Sequence, residues 1–182
     1  MKLKLITLIT LFLSLAAFSV AGAFTLTDSQ HYTRSGNYYV FSHTFESTSD
    51  GTSHLILLRT GSSMVHLSIE AAVGGQTKLQ LREGVAVSAN GTQVTNHKYN
   101  RNSDRSSLTK TYQGPTISDA GTIFFEEQTP GGSSVFTRIG GVSRTRPKFI
   151  LKPDTVYTVN ATNKSGSSAD INLVGSFYEM NL

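Results

Sequence analysis

The 182 residues suffice for one domain with a real core, and 38% apolar with 15% charged content leaves a chain rich in Ser, Thr, Gly and Asn. That mixture suits a β-rich extracellular or virion protein better than a helical cytosolic one. With no cysteine there are no disulfides, thiolate metal sites or Cys nucleophiles, and the net charge of +4 is too small to argue for nucleic-acid binding.

Lys2 and Lys4 open the chain, residues 5–18 are nearly all apolar, and Ala21-Gly22-Ala23 closes the run. A positive start, a short apolar stretch and small residues at the end make a secretory signal pattern. The alternative is a retained anchor, because residues 5–24 supply about the 20 positions needed to cross a bilayer. Thr7, Thr10, Ser14 and Ser19 interrupt that stretch and favour cleavage. The expected organisation is a leader or anchor at 1–23 and a single β-sandwich domain at 24–182, with the membrane reached only through 1–23.

Residues 25–36 read as polar and turn-like, and no segment beyond 24 carries an apolar helical repeat. Strands follow. Residues 37–45 place Tyr39, Phe41, His43 and Phe45 on one face. Residues 54–60 form a continuous apolar run, consistent with burial on both faces. Residues 64–73 alternate, with Val65, Leu67, Ile69, Ala71 and Val73 inward and the polar set outward, as in an antiparallel sheet with one wet face. Leu79 and Leu81 continue the inward pattern, and Asn90-Gly91 is a strong hairpin signal.

A polar loop at 99–107 then leads to a strand near 108–113. The turn at Asp119-Ala120-Gly121-Thr122 repeats the one at Ala89-Asn90-Gly91-Thr92. A long excursion at 128–146 carries Phe136, Arg138, Arg144 and Arg146, which are candidates for an interface with another subunit. The same basic residues also read as a solvated loop. Strands near 149–151 and 156–160, a polar loop at 161–170, and a last strand at 171–178 with Ile171, Leu173, Gly175 and Phe177 on one face complete the chain. The expected fold is all-β: an antiparallel sandwich of eight to ten strands, jelly-roll-like.

No nucleophile elbow, zinc-protease helix, P-loop or dinucleotide fingerprint occurs, and the five histidines lack metal-ligand spacing. No catalytic, cofactor or metal site is therefore expected. A Ser/His/Asp site assembled from distant segments has only the fold class behind it. Asn90, Asn160 and Asn163 begin N-x-[ST] triplets, which matter only in a host that glycosylates.

The run Tyr99-Asn100-Arg101-Asn102-Ser103, followed by Pro115-Thr116-Ile117-Ser118-Asp119-Ala120-Gly121-Thr122, resembles a family of small tailed-bacteriophage virion proteins. Leu81 through Thr92, Phe149 through Tyr157, and Phe177-Tyr178-Glu179 also fit it, so the likeness covers about 53–179. The resemblance implies a non-enzymatic head-surface protein that decorates or stabilises a capsid. It implies a homo-oligomer, often a trimer, with other capsid proteins as partners. Tyr99, Asn100, Arg101, Asn102 and Ser103 are then the candidate subunit-contact loop. Two local roles compete: Arg101 pairing with Asp104 or Glu83, and Asn100 and Asn102 capping backbone turns. The alternative function is a secreted or surface β-sandwich that binds carbohydrate or forms a fibre, in keeping with the signal-like segment and the tyrosines.

Overall fold

The computed structural model describes residues 28–129 and 148–180. The leader-like segment and Phe136, Arg138, Arg144 and Arg146 lie outside the described residues. The chain divides into two compact units, 1–31 and 32–182. Every described strand belongs to the second.

The helix α1, Asp28–Ser35, replaces the expected turn-like stretch. Its signal lies in the ends rather than in an apolar stripe. Gly36 at φ 78° lets Gly36 N–H donate to Thr33 O and Asn37 N–H to Tyr32 O, the two bonds of a Schellman stop. Tyr32 anchors the last turn, stacked on Tyr178 with ring centroids 4.3 Å apart.

Thirteen strands follow among the described residues, numbered here in chain order. The first four are β1 Tyr38–Thr48, β2 Ser53–Arg59, β3 Met64–Val73 and β4 Thr77–Glu83. Five short ones come next: β5 Ala86–Ala89, β6 Thr92–Val94, β7 His97–Lys98, β8 Lys110–Gln113 and β9 Thr116–Asp119. The last four are β10 Thr122–Thr129, β11 Lys148–Leu151, β12 Val156–Asn163 and β13 Ala169–Met180. One sheet runs β11-β3-β13-β1-β7 and the other β10-β4-β12-β2-β8-β6, with β5-β9 as a separate ribbon.

Eight of these strands form a jelly roll. These eight alternate between sheets along the chain except at β4 and β10, which share one, and they pair antiparallel from the outside in: β1 with β13, β2 with β12, β3 with β11, β4 with β10. Residues 84–121 are an insertion between the fourth and fifth of those eight strands. The strand count exceeds the expected eight to ten because the insertion contributes five short strands of its own. Two boundaries also move. The expected loop at 161–170 shortens because β12 runs on to Asn163, while the strand expected from 108 starts at Lys110.

The core lies between the inner faces of the two sheets. Tyr39, Phe41, Val65, Leu67, Leu151, Ile171, Leu173 and Phe177 come from one sheet, and Ile56, Leu58, Leu79, Leu81, Tyr157 and Val159 from the other. At ~1.5–3 kcal/mol per fully buried large apolar side chain, this layer is the main favourable term of folding. The alternation read for β3 holds from Val65 to Ala71 and that for β13 from Ile171 to Phe177, and the run in β2 is buried on both faces, Leu57 included. Gly175 interrupts the inward row of β13 because the Phe41 ring occupies the space a Cβ would need.

The repeated turns belong to a larger internal repeat. Residues 83–92 (E-G-V-A-V-S-A-N-G-T) align without a gap on 113–122 (Q-G-P-T-I-S-D-A-G-T). The pairing respects that equivalence: β4 pairs with β10 as β8 pairs with β6, and β5 pairs with its own equivalent, β9. The two edges of the second sheet are therefore equivalent, with β10-β4 at one side of β12 and β2 and β6-β8 at the other. Gly91 packs on the backbone of Gln113 and Gly114, and Gly121 on that of Glu83, Gly84 and Val85.

At the other end of β1, His54 stacks on Phe45 at 4.3 Å, and His43 meets the same ring edge-on at 4.6 Å. Burial, and then the neighbouring charge of His43, lower the His54 pKa. The folded state resists protonation there, so this contribution to stability is complete above the unfolded value of about 6.5 and is lost as pH falls through the lowered one. Melting temperature should fall from pH 7 to pH 5, and His54→Phe should flatten that slope. An unchanged slope in the variant would refute this account.

Candidate functional site

The loop that carries the family likeness links β7, on the first sheet, to β8, on the second, and so spans one side of the sandwich. Its residues are polar because their hydrogen bonds, rather than apolar contacts, hold the connection in place. Tyr99 N–H donates to Tyr38 O, and the two rings stack at 4.3 Å. Lys98 Nζ donates to Ser103 O at 2.6 Å, and Asn100 Nδ2 to Arg34 O at 3.3 Å. Asn102 N–H donates to Asn100 Oδ1, and Arg105 N–H to Ser103 Oγ, each an Asx- or Ser-type local turn. Ser103 lies against Gly36, where no side chain would fit, and Arg105 reaches Asn37 Oδ1 at 3.2 Å.

Arg101 differs from its neighbours. It is exposed and makes no hydrogen bond or ion pair among the described residues. Neither expected partner holds it, and Glu83 instead pairs with Lys152. The structure thus brings Tyr99, Asn100, Asn102 and Ser103 into the sandwich's own closure and leaves the Arg101 side chain facing outward.

The residue that fixes this closure is Glu179. It follows Phe177 at the inward parity of β13, so its carboxylate enters the end of the core and is only 5% exposed. A buried carboxylate is stable only with donors around it. Ser107 Oγ and Thr109 N–H donate to Oε1 at 2.9 and 2.7 Å, and Leu108 N–H donates to Oε2 at 3.2 Å. Burial, and then the Glu179 charge, raise the pKa of nearby Tyr39, while the charge of Arg105 pulls it back down. Sequence reasoning missed Glu179. The available signal was the acidic side chain at the end of an otherwise apolar, alternating row.

All three N-x-[ST] asparagines hold internal hydrogen bonds. Asn163 is fully buried, with Nδ2 donating to Thr48 O and Ser167 O at 2.7 Å and Oδ1 accepting from Ser165 N–H. Asn160 sits within β12, where its Nδ2 donates to Gln80 Oε1 at 3.5 Å. Asn90, in the β5–β6 turn, accepts from Arg59 Nε at 2.9 Å. No group of three or more His, Asp or Glu suited to a metal ion occurs among the described residues.

No protein-family model and no curated protein matches the chain. Solved structures that match include the infectious bursal disease virus VP2 subviral particle, at 8% identity and TM-score 0.30, covering 79% of this chain and 37% of that one. A Gx strain of the same virus matches at 11% identity and TM-score 0.20, covering 79% and 30%. Its derived T=1 particles match at 9% and 0.18, covering 79% and 40%. The chain thus spans well under half the length of these chains. At such TM-scores the likeness carries no argument about function, and none of the three is a tailed-phage decoration protein.

Proposed function

We propose that this chain is a non-enzymatic structural protein of a virus particle that stabilises or decorates the capsid surface as a homo-oligomer. The observation that carries the reading is the conjunction of a jelly roll, an architecture common in viral capsids, with a Tyr-Asn-Arg-Asn-Ser loop that resembles one in tailed-phage virion proteins. Fold alone does not fix function, so the loop bears the weight.

In this reading the loop has two faces. Its polar groups close its own sandwich, and Arg101 presents an uncommitted guanidinium to a neighbouring subunit, where a bidentate carboxylate contact suits it. Particles purified from the source of this sequence should contain the chain in stoichiometric copies by mass spectrometry. Their absence would end the proposal. Arg101→Ala should leave the melting temperature within about 3 °C of the parent, since exposed charges contribute only ~0–1 kcal/mol. The same variant should lower the oligomer fraction at least tenfold in analytical ultracentrifugation. An unchanged oligomer fraction would remove Arg101 from the contact.

A further inference from the structure

The internal repeat contains its own control. Its two halves build the same junction, in which a strand ends at a positive-φ glycine and the other half's turn glycine packs on that end. Aligned position by position, Glu83 corresponds to Gln113, Asp119 to Ala89, and Phe124 to Val94. The fold therefore makes this junction on one side with no carboxylate at these positions. The acidic and aromatic residues on the other side are not required by the turn.

On that side lies a cleft of about 570 Å³ lined by Glu83, Gly84, Asp119, Gly121, Thr122 and Phe124, within the ~300–1,000 Å³ range of small-molecule sites. Glu83 is held from behind by Lys152 Nζ and by the Tyr157 hydroxyl, which donates at 3.4 Å and accepts from Lys152 N–H at 2.9 Å. Asp119 Oδ1 accepts from Gly121 N–H at 3.0 Å, and its second oxygen has no partner among the described residues. A bulge between Ile123 and Phe125 breaks the β10 register at Phe124. The Phe124 ring is 40% exposed and is fixed edge-on to Phe149 and Tyr157, 5.4 and 6.1 Å away.

We propose that this cleft binds one pyranose unit of a neutral glycan. Carboxylate oxygens accept strong, charge-assisted hydrogen bonds from sugar hydroxyls, and the electron-rich face of a fixed aromatic ring covers the C–H face of a pyranose. Charge decides against ionic ligands. Lys152 already offsets Glu83, which weakens the case for a cation, and Asp119 repels an anion. The inference does not depend on a virion role.

The test uses the full chain with methyl glycosides of glucose, galactose, mannose and N-acetylglucosamine at millimolar concentration, read by saturation-transfer and amide-shift NMR. At least one glycoside should receive saturation on its ring protons and shift the amides of Gly84, Gly121 and Thr122. The substitutions are those that the fold already accepts in the other half, Asp119→Ala and Phe124→Val. Each should weaken the transfer at least fivefold, while Ile150→Ala, at an exposed apolar residue outside the cleft, should leave it unchanged. Absence of transfer to all four glycosides, or transfer that survives both substitutions, overturns the proposal. Asp119 is exposed and outside the core, so its variant remains informative if Phe124→Val lowers stability.

Discussion

Glu179→Gln is expected to destabilise the protein by about 2–4 kcal/mol, because three donors lose a charged acceptor and one of them meets an amide N–H₂ instead. For a chain of this length that corresponds to a melting-temperature drop on the order of 10 °C. The loss should be local before it is global. Amide exchange at Leu108 and Thr109, whose N–H groups the carboxylate holds, should accelerate at temperatures where β3 and β13 remain protected. Equal melting temperatures for variant and parent would show that the loop is held by its other contacts alone. The same experiment separates the two roles of the loop, since loosening its inner face should disorder Arg101 without removing it.

The second large effect concerns the turn glycines. Four glycines of the repeat share a positive φ: Gly84 at 70°, Gly91 at 84°, Gly114 at 64° and Gly121 at 61°. Their surroundings differ. A Cβ at Gly84 or Gly114 meets nothing within 4 Å, whereas at Gly91 or Gly121 it strikes the backbone of the opposite half. Gly84→Ala and Gly114→Ala should therefore cost only the conformational term, about 1–2 kcal/mol. Gly91→Ala and Gly121→Ala should cost that term plus a collision with carbonyl groups that cannot rotate away, about 3 kcal/mol or more. Denaturant titration of all four variants isolates the contact from the strain. Equal costs across the four would mean that the reciprocal packing of the halves adds nothing.

Much of this architecture is legible in the sequence, and where it is not the physics explains why. Period-two alternation identifies β3 and β13 because one face of each is buried along its length, and the apolar run of β2 marks a strand covered on both sides. The repeat was visible as two similar turns. Its reciprocal packing was not, because pairing partners lie some thirty residues apart and periodicity reports only on one strand at a time. The helix α1 escaped because its signals are a glycine stop and long-range contacts such as the Tyr32–Tyr178 stack rather than an apolar stripe. Tyr99, Asn100, Arg101, Asn102 and Ser103 stood out as a polar loop, but composition could not separate groups bonded inward from a guanidinium facing out. Glu179 is the clearest case: its importance depends on donors seventy residues away.

The pairing of β1 with β13 has a consequence for synthesis on the ribosome. In the first sheet, β13 lies between β3 and β1, and its twelve residues are the last described ones of the chain. Until those residues are made, β1 has only the short strand β7 beside it and β3 only the short strand β11, so the first sheet stays in two pieces. The pairings of β13 with β1 and β3 are non-local and form only after the loop-closure entropy is met. A nascent chain stalled before Ala169 could pair its second sheet but would leave the first split, with the inner faces uncovered, and the sandwich closes only once β13 is free.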